Sequence, residues 1–146
     1  MPQKIKVILD TNVFVSACLN RSGPSNRIID ALKNTELLKL VLSPEVVEEY
    51  IRVSNYKRII NKYPHFSFSA FDLIEKLSTM ALFCEPEKHF DILKDVNDNK
   101  FLDLAYESKA KYLITGNHKD FTFTRFEETT ILNPQEFCEL YEQNIL

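Results

Sequence analysis

Ile5-Lys6-Val7-Ile8-Leu9-Asp10-Thr11-Asn12 opens the legible part of the chain, and the rest of the fold can be read outward from it. Ile5–Leu9 is a short apolar run rich in β-branched residues. Its length and composition suit a strand buried on both faces, ending at the acid Asp10. Asn12–Leu19 then reads as a short helix. Ser22-Gly23-Pro24 breaks it, and Pro24 suits the first turn of a second helix running to about Lys33. Leu38–Leu42 is a second strand. Ser43-Pro44, a hydroxyl cap followed by Pro at the first helical position, starts a helix to about Val53.

The pattern continues. Tyr56–Tyr63 and Ala70–Met80 read as helices separated by Pro64, and Leu82–Cys84 as a weak strand closed by Pro86. Asp98 caps a helix through about Ala110. Strand Tyr112–Thr115 follows, then strand Thr129–Leu132, and Asn133-Pro134 with Glu136 begins the final helix like a capping box. Strands alternate with helices and no hairpin signal intervenes. The expected architecture is therefore one α/β domain over residues 1–146, three-layer α/β/α, with a small central parallel sheet of four to five strands.

Composition excludes several functions. The 146 residues carry a formal net charge of −3, which argues against coating nucleic acid by bulk positive charge. Only two glycines occur, Gly23 and Gly116, so neither a dinucleotide loop nor a Walker phosphate loop can be built. Cys18, Cys84 and Cys138 form no CxxC, and His65, His89 and His118 no HxxxH, which disfavours structural zinc and a disulfide framework. Val15-Ser16-Ala17-Cys18 resembles a lipoprotein cleavage site, but Asp10, Thr11 and Asn12 break the apolar segment before it. No apolar run reaches transmembrane length. The expected location is the cytoplasm, with no membrane partner.

In a wound parallel sheet, ligands bind beyond the carboxyl ends of the strands, where the helix N-termini also lie. Three acids fall at that edge. Asp10 follows the first strand, Asp98 opens the helix before the fourth, and Glu49 lies in the helix after the second. On that helix Val46, Val47, Tyr50, Ile51 and Val53 draw the apolar face. Glu45 and Glu48 fall on the opposite side with Arg52, while Glu49 shares the edge of the buried face with Val46 and Val53. Carboxylates converging in a partly dry cleft repel unless a cation compensates. An oxygen-only donor set points to Mg²⁺ or Mn²⁺ rather than zinc. Each acid also has a purely structural explanation: Asp10 and Asp98 as helix caps, Glu49 as a helix-boundary residue. Only their common location favours a site.

Four blocks, in order and spacing, resemble the motifs of PIN-domain ribonucleases, in particular the VapC-like toxins of bacterial toxin–antitoxin pairs. They are Val7-Ile8-Leu9-Asp10-Thr11-Asn12-Val13-Phe14, Ser43-Pro44-Glu45-Val46-Val47-Glu48-Glu49-Tyr50, Asp95-Val96-Asn97-Asp98-Asn99-Lys100-Phe101-Leu102 and Tyr112-Leu113-Ile114-Thr115-Gly116-Asn117. The resemblance implies a divalent-metal-dependent endoribonuclease with a small parallel sheet. It carries the metal-ligand role onto Asp10, Glu49 and Asp98, and makes Asn12, Ser16 and Thr115 polar supports for Asp10, for a water or for a phosphate oxygen; each could equally be a local cap or turn residue. Many relatives carry a fourth aspartate where this chain has Asn117, which weakens a second metal site; toxin-like sequences also carry Asn there. Asp120 is a substitute for that acid or an ordinary loop residue, and Asp95 an outer assistant or a solvated one. The resemblance further implies an antitoxin partner that occupies the acidic cleft, inserting a basic side chain, and a homodimer is compatible with it.

Residues 50–71 contain no Asp or Glu but carry Arg52, Lys57, Arg58 and Lys62, with Tyr56, Tyr63, Phe66 and Phe68 interleaved; residues 11–29 are likewise acid-free and carry Arg21 and Arg27. Such stretches can track an RNA backbone and stack its bases, or can be a solvated helix face with core aromatics. The expected function is a ribonuclease hydrolysing single-stranded or loop RNA. The alternative is a catalytically weak PIN fold that binds RNA or protein. A receiver domain and an aspartyl phosphohydrolase fit poorly: Asn12 stands where the latter needs a second acid, and Cys84-Glu85-Pro86 where the former needs an acceptor Asp.

Overall fold

A computed structural model describes residues 4–116 and 121–146. Asn117 and Asp120, both raised as completing the site, lie outside the described residues. The elements are β1 (Ile5–Leu9), α1 (Thr11–Leu19), α2 (Pro24–Asn34), β2 (Leu38–Leu42), α3 (Pro44–Ser54), α4 (Lys57–Lys62) and α5 (Phe66–Met80). They continue with β3 (Leu82–Phe83), a 3-10 turn at Val96–Asp98, α6 (Asn99–Ser108), β4 (Tyr112–Ile114), β5 (Arg125–Phe126), β6 (Thr129–Leu132) and α7 (Pro134–Glu142).

The sheet runs β3-β2-β1-β4-β6-β5, with β1 at its heart between β2 and β4. Val7, Ile8 and Leu9 are fully buried, as a strand covered on both faces requires. Helix α2 packs on α1 and α7, and α3 packs on α5 and α6, completing the α/β/α layering. The class is the expected one, but among the described residues the sheet carries six strands rather than four to five, and it is parallel except at one edge. There β5 pairs antiparallel with β6. Glu127 takes a left-handed φ of 52° in the turn between them. Hairpin turns usually assign that conformation to Gly, Asn or Asp, so Glu127-Glu128 gave no hairpin signal.

Local chemistry explains the helix starts that position the site. The Ser43 hydroxyl accepts from Val46 N at 3.2 Å, with Pro44 in the first turn. Asn133 and Glu136 form the expected capping box on α7. Gly23 is the N-cap of α2, and a Cβ there would lie 2.7 Å from the Asn20 amide. Helix α5 begins at Phe66, four residues before the expected Ala70, because Phe66 is buried in the core and anchors an extra turn.

The segment before α6 contains little regular structure and is pinned by buried side chains of that helix. Asn99 Oδ1 accepts from the backbone N–H of Ile92 (3.2 Å) and of Leu93 (3.0 Å). Asp103, also buried, accepts from Phe90 N at 2.7 Å and pairs with His89 Nδ1 at 3.0 Å. These bonds fix the route by which the chain delivers Asp95–Asp98 to the carboxyl edge of the sheet.

Candidate active site

At that edge lies a cleft of about 560 Å³, and Asp10, Glu49 and Asp98 all line it. Asn12, Ser16, Arg52, Tyr56 and Arg58 share its walls. The three acids singled out in the sequence are thus brought together by β1, α3 and the 3-10 turn.

Asp10 is only 4% exposed, and both its oxygens are engaged. Oδ1 accepts from Thr11 N at 2.7 Å, so the residue does cap α1. Oδ2 accepts from the Thr115 hydroxyl at 2.6 Å, across from the end of β4. Thr115 is itself buried, so this bond holds the carboxylate in one orientation. Asn12, exposed on α1, accepts from Gly116 N at 3.1 Å and closes the same β1–β4 edge. Asp98 occupies the N-cap position of α6 but makes no side-chain capping bond, so capping does not account for it.

Glu49 is 7% exposed and more heavily engaged than its sequence context suggests. Its Oε1 accepts from Lys100 Nζ at 2.8 Å and from Arg52 at 3.2 Å, and its Oε2 from the Thr11 hydroxyl. Lys100 thus belongs to the site, a part that its sequence block alone does not assign it. A signal existed: Lys100 stands in the first turn of α6, where the helix dipole disfavours a cation, so an acid had to be near. Tyr50 was read only as part of an apolar face. Its buried hydroxyl donates to the Leu9 carbonyl at 2.5 Å, and its ring stacks on Phe14 at 4.4 Å. That bond ties α3 to the last residue of β1, directly beneath the acids. Burial pushes the Tyr50 phenol well above its usual range, and the charges of Asp10 and Glu49 push the same way.

The basic stretch divides. Arg52, Tyr56 and Arg58 line the cleft; Lys57, between Tyr56 and Arg58, is exposed at the start of α4 and is not among its lining residues. Phe66 belongs to the core, whereas Phe68 is 80% exposed. Asp95 lines the cleft too, and its carboxylate accepts from Asn97 N at 3.0 Å.

Among the described residues, no three acidic, His or Cys side chains converge closely enough to form a finished metal site. The donor chemistry nevertheless suits a hard divalent cation. Four carboxylates, those of Asp10, Glu49, Asp95 and Asp98, line one cleft with hydroxyls beside them, and among the described residues neither His nor Cys joins them. Lys100 and Arg52 supply the positive charge that buried Glu49 requires in this arrangement.

Comparison with known proteins agrees with this fold. A family model described as PIN domain matches residues 6–119, so the chain belongs to the PIN-domain family. An uncharacterised protein of Methanocaldococcus jannaschii is 32% identical over 97% of this chain and 95% of its own length. Among solved structures, the VapBC2 complex of Rickettsia felis, bound to a DNA fragment from its promoter, contains a chain that superposes with a TM-score of 0.56 at 18% identity. The match covers 88% of this chain and 98% of that one. No described helix is long and apolar enough to cross a membrane.

Proposed function

We propose that the protein is a divalent-metal-dependent endoribonuclease, the toxin of a VapC-like toxin–antitoxin pair, acting on single-stranded or loop RNA in the cytoplasm. The observation that carries this reading is the meeting of Asp10, Glu49 and Asp98 in one cleft at the carboxyl edge of a PIN-family sheet. Asp10, Glu49 and Asp98 would hold Mg²⁺ or Mn²⁺, which when bound supplies an activated water and neutralises charge on the phosphate and leaving oxygen. Thr115 and the Thr11 N–H hold Asp10 in one orientation. Arg52 and Arg58 are placed to bind phosphate oxygens, Tyr56 to stack a base, and Ser16 and Asn12 to hydrogen-bond at the α1 wall. An antitoxin would use the same acidic cleft, presenting a basic side chain where Lys100 and Arg52 now face Glu49; the R. felis neighbour is a VapBC complex.

The test is cleavage of a single-stranded RNA by purified protein, with Mg²⁺ or Mn²⁺ titrated into wild type and Asp10→Asn. Metal-dependent cleavage lost in the variant supports the mechanism. Activity that persists in the variant or in excess chelator would sink it. The Glu49–Lys100 pair favours one second reading, a PIN fold that binds RNA or protein without cutting, because Glu49 already has its counter-charge. RNA binding without cleavage at any metal concentration would select it.

A further inference from the structure

The amino edge of the sheet, opposite the acidic cleft, carries a second pocket of about 720 Å³. Lys4, Lys6, Lys39, Lys109 and Lys111 line it, and among the described residues Glu128 is the single acid with them. In a chain of net charge −3 this is a local concentration of positive charge that composition does not suggest.

The arrangement opposes the stability of the fold. Lys6 and Lys39 are direct register partners on the adjacent parallel strands β1 and β2. Partner side chains point to the same face, with backbones about 4.8 Å apart, and like charges set so are destabilising. Lys111 stands beside them, its backbone N–H donating to the Lys6 carbonyl at 3.0 Å. Lys109, between α6 and Lys111, adopts a left-handed φ of 56° that Gly or Asn would take at lower cost.

Structural duties account for only part of the cluster. The Lys6 ammonium donates to the Ser108 carbonyl at 3.0 Å, and so satisfies the C-terminus of α6. Among the described residues, no ion pair joins any of the five lysines to a carboxylate. Lysines also protect sheet edges from pairing, but β2, β1 and β4 are interior strands here. A polyvalent anion would remove the repulsion, and lysine ammoniums bind phosphates as point charges without a planar fork. Among the described residues, no exposed aromatic lines the pocket on which a base could stack, so the ligand is read through its phosphates.

We propose that this pocket binds a run of consecutive phosphates, carried either by a single-stranded RNA backbone or by a free oligophosphate chain. Such binding does not depend on the cleavage reaction. It is tested with the full chain in EDTA, wild type beside the double variant Lys39→Gln/Lys111→Gln, using a fluorescein-labelled twelve-nucleotide oligouridine and sodium tripolyphosphate. A backbone ligand predicts at least about fivefold weaker RNA binding in the variant at low salt. It also predicts a log-affinity against log-salt slope shallower by about 1.4, two phosphate contacts at about 0.7 each. A free oligophosphate ligand predicts that tripolyphosphate raises the melting temperature of wild type but not of the variant, at concentrations where orthophosphate does neither. Without ligand at low salt, the variant should melt no lower than wild type, since charge repulsion is relieved. Equal RNA affinity and salt slope, together with equal tripolyphosphate response, would overturn the proposal.

Discussion

The two edges of one sheet solve opposite electrostatic problems. At the carboxyl edge, buried acids are individually held: Asp10 by Thr115 and the Thr11 N–H, Glu49 by Lys100, Arg52 and Thr11. At the amino edge, Lys4, Lys109 and Lys111 are exposed and Lys6 and Lys39 half-buried; the Lys6 ammonium donates to the Ser108 carbonyl, the Lys111 ammonium lies over the Tyr112 ring, and among the described residues none of the five is paired with a carboxylate. Burial is the difference. Carboxylates taken from water must be compensated inside the protein or by a bound cation, whereas lysines on long stems keep their own hydration. The carboxyl edge is therefore the place where one substitution has large effects.

The largest is expected at Asp10. Asn caps a helix as well as Asp, so Asp10→Asn should fold and melt near wild type while RNA cleavage falls at least about 100-fold. A variant that loses both activity and fold would instead make Asp10 a structural cap.

Next is Lys100. Replacing it with Met in the presence of chelator leaves Glu49 buried with only the more exposed Arg52 for charge compensation. Loss of one partner of a buried pair costs about 3 kcal/mol, read as a lower urea midpoint. Added Mn²⁺ should recover much of that loss, and recovery no larger than in wild type would show that Glu49 does not face the metal.

How legible these residues were follows from the range over which their causes act. Asp10 and Glu49 could be placed from strand ends and helix periodicity, because both signals are local. Lys100 and the hydroxyl of Tyr50 act through partners 51 and 41 positions away, which no local pattern reveals. Composition groups Lys57 with Arg52, yet Lys57 opens α4 and is not among the residues lining the cleft. The β5–β6 hairpin was hidden because its turn uses Glu127 at a positive φ. The lysine cluster arises from strand register, which brings Lys6 against Lys39 across 33 positions of sequence.

Tyr50→Phe sharpens the comparison beneath the acids. It removes the bond to Leu9 while keeping the ring stack on Phe14, and should cost about 1–2 kcal/mol in urea unfolding. Cleavage should fall less than in Asp10→Asn, because Tyr50 supports β1 and does not touch the cleft.

The smallest effect belongs to a third kind of acid. Asp103 is buried but satisfied by Phe90 N and by exposed His89, away from both pockets. The hydrogen bond to Asp103, and then its charge, raise the His89 pKa above 6.5. A pKa higher in the folded state means that this stabilisation is complete below the unfolded value and fades as pH rises through the folded one. Urea midpoints from pH 6 to 8 should decline slightly in wild type, and that component should vanish in His89→Gln. Metal should change neither curve's pH dependence.

The most direct test of the acidic cleft is Mn²⁺ binding by calorimetry or by the loss of free-Mn²⁺ paramagnetic signal. Wild type and Lys39→Gln/Lys111→Gln should bind saturably and alike, and Asp10→Asn should bind at least tenfold more weakly. Equal Mn²⁺ binding by wild type and Asp10→Asn would contradict the assignment of this edge as a cation site.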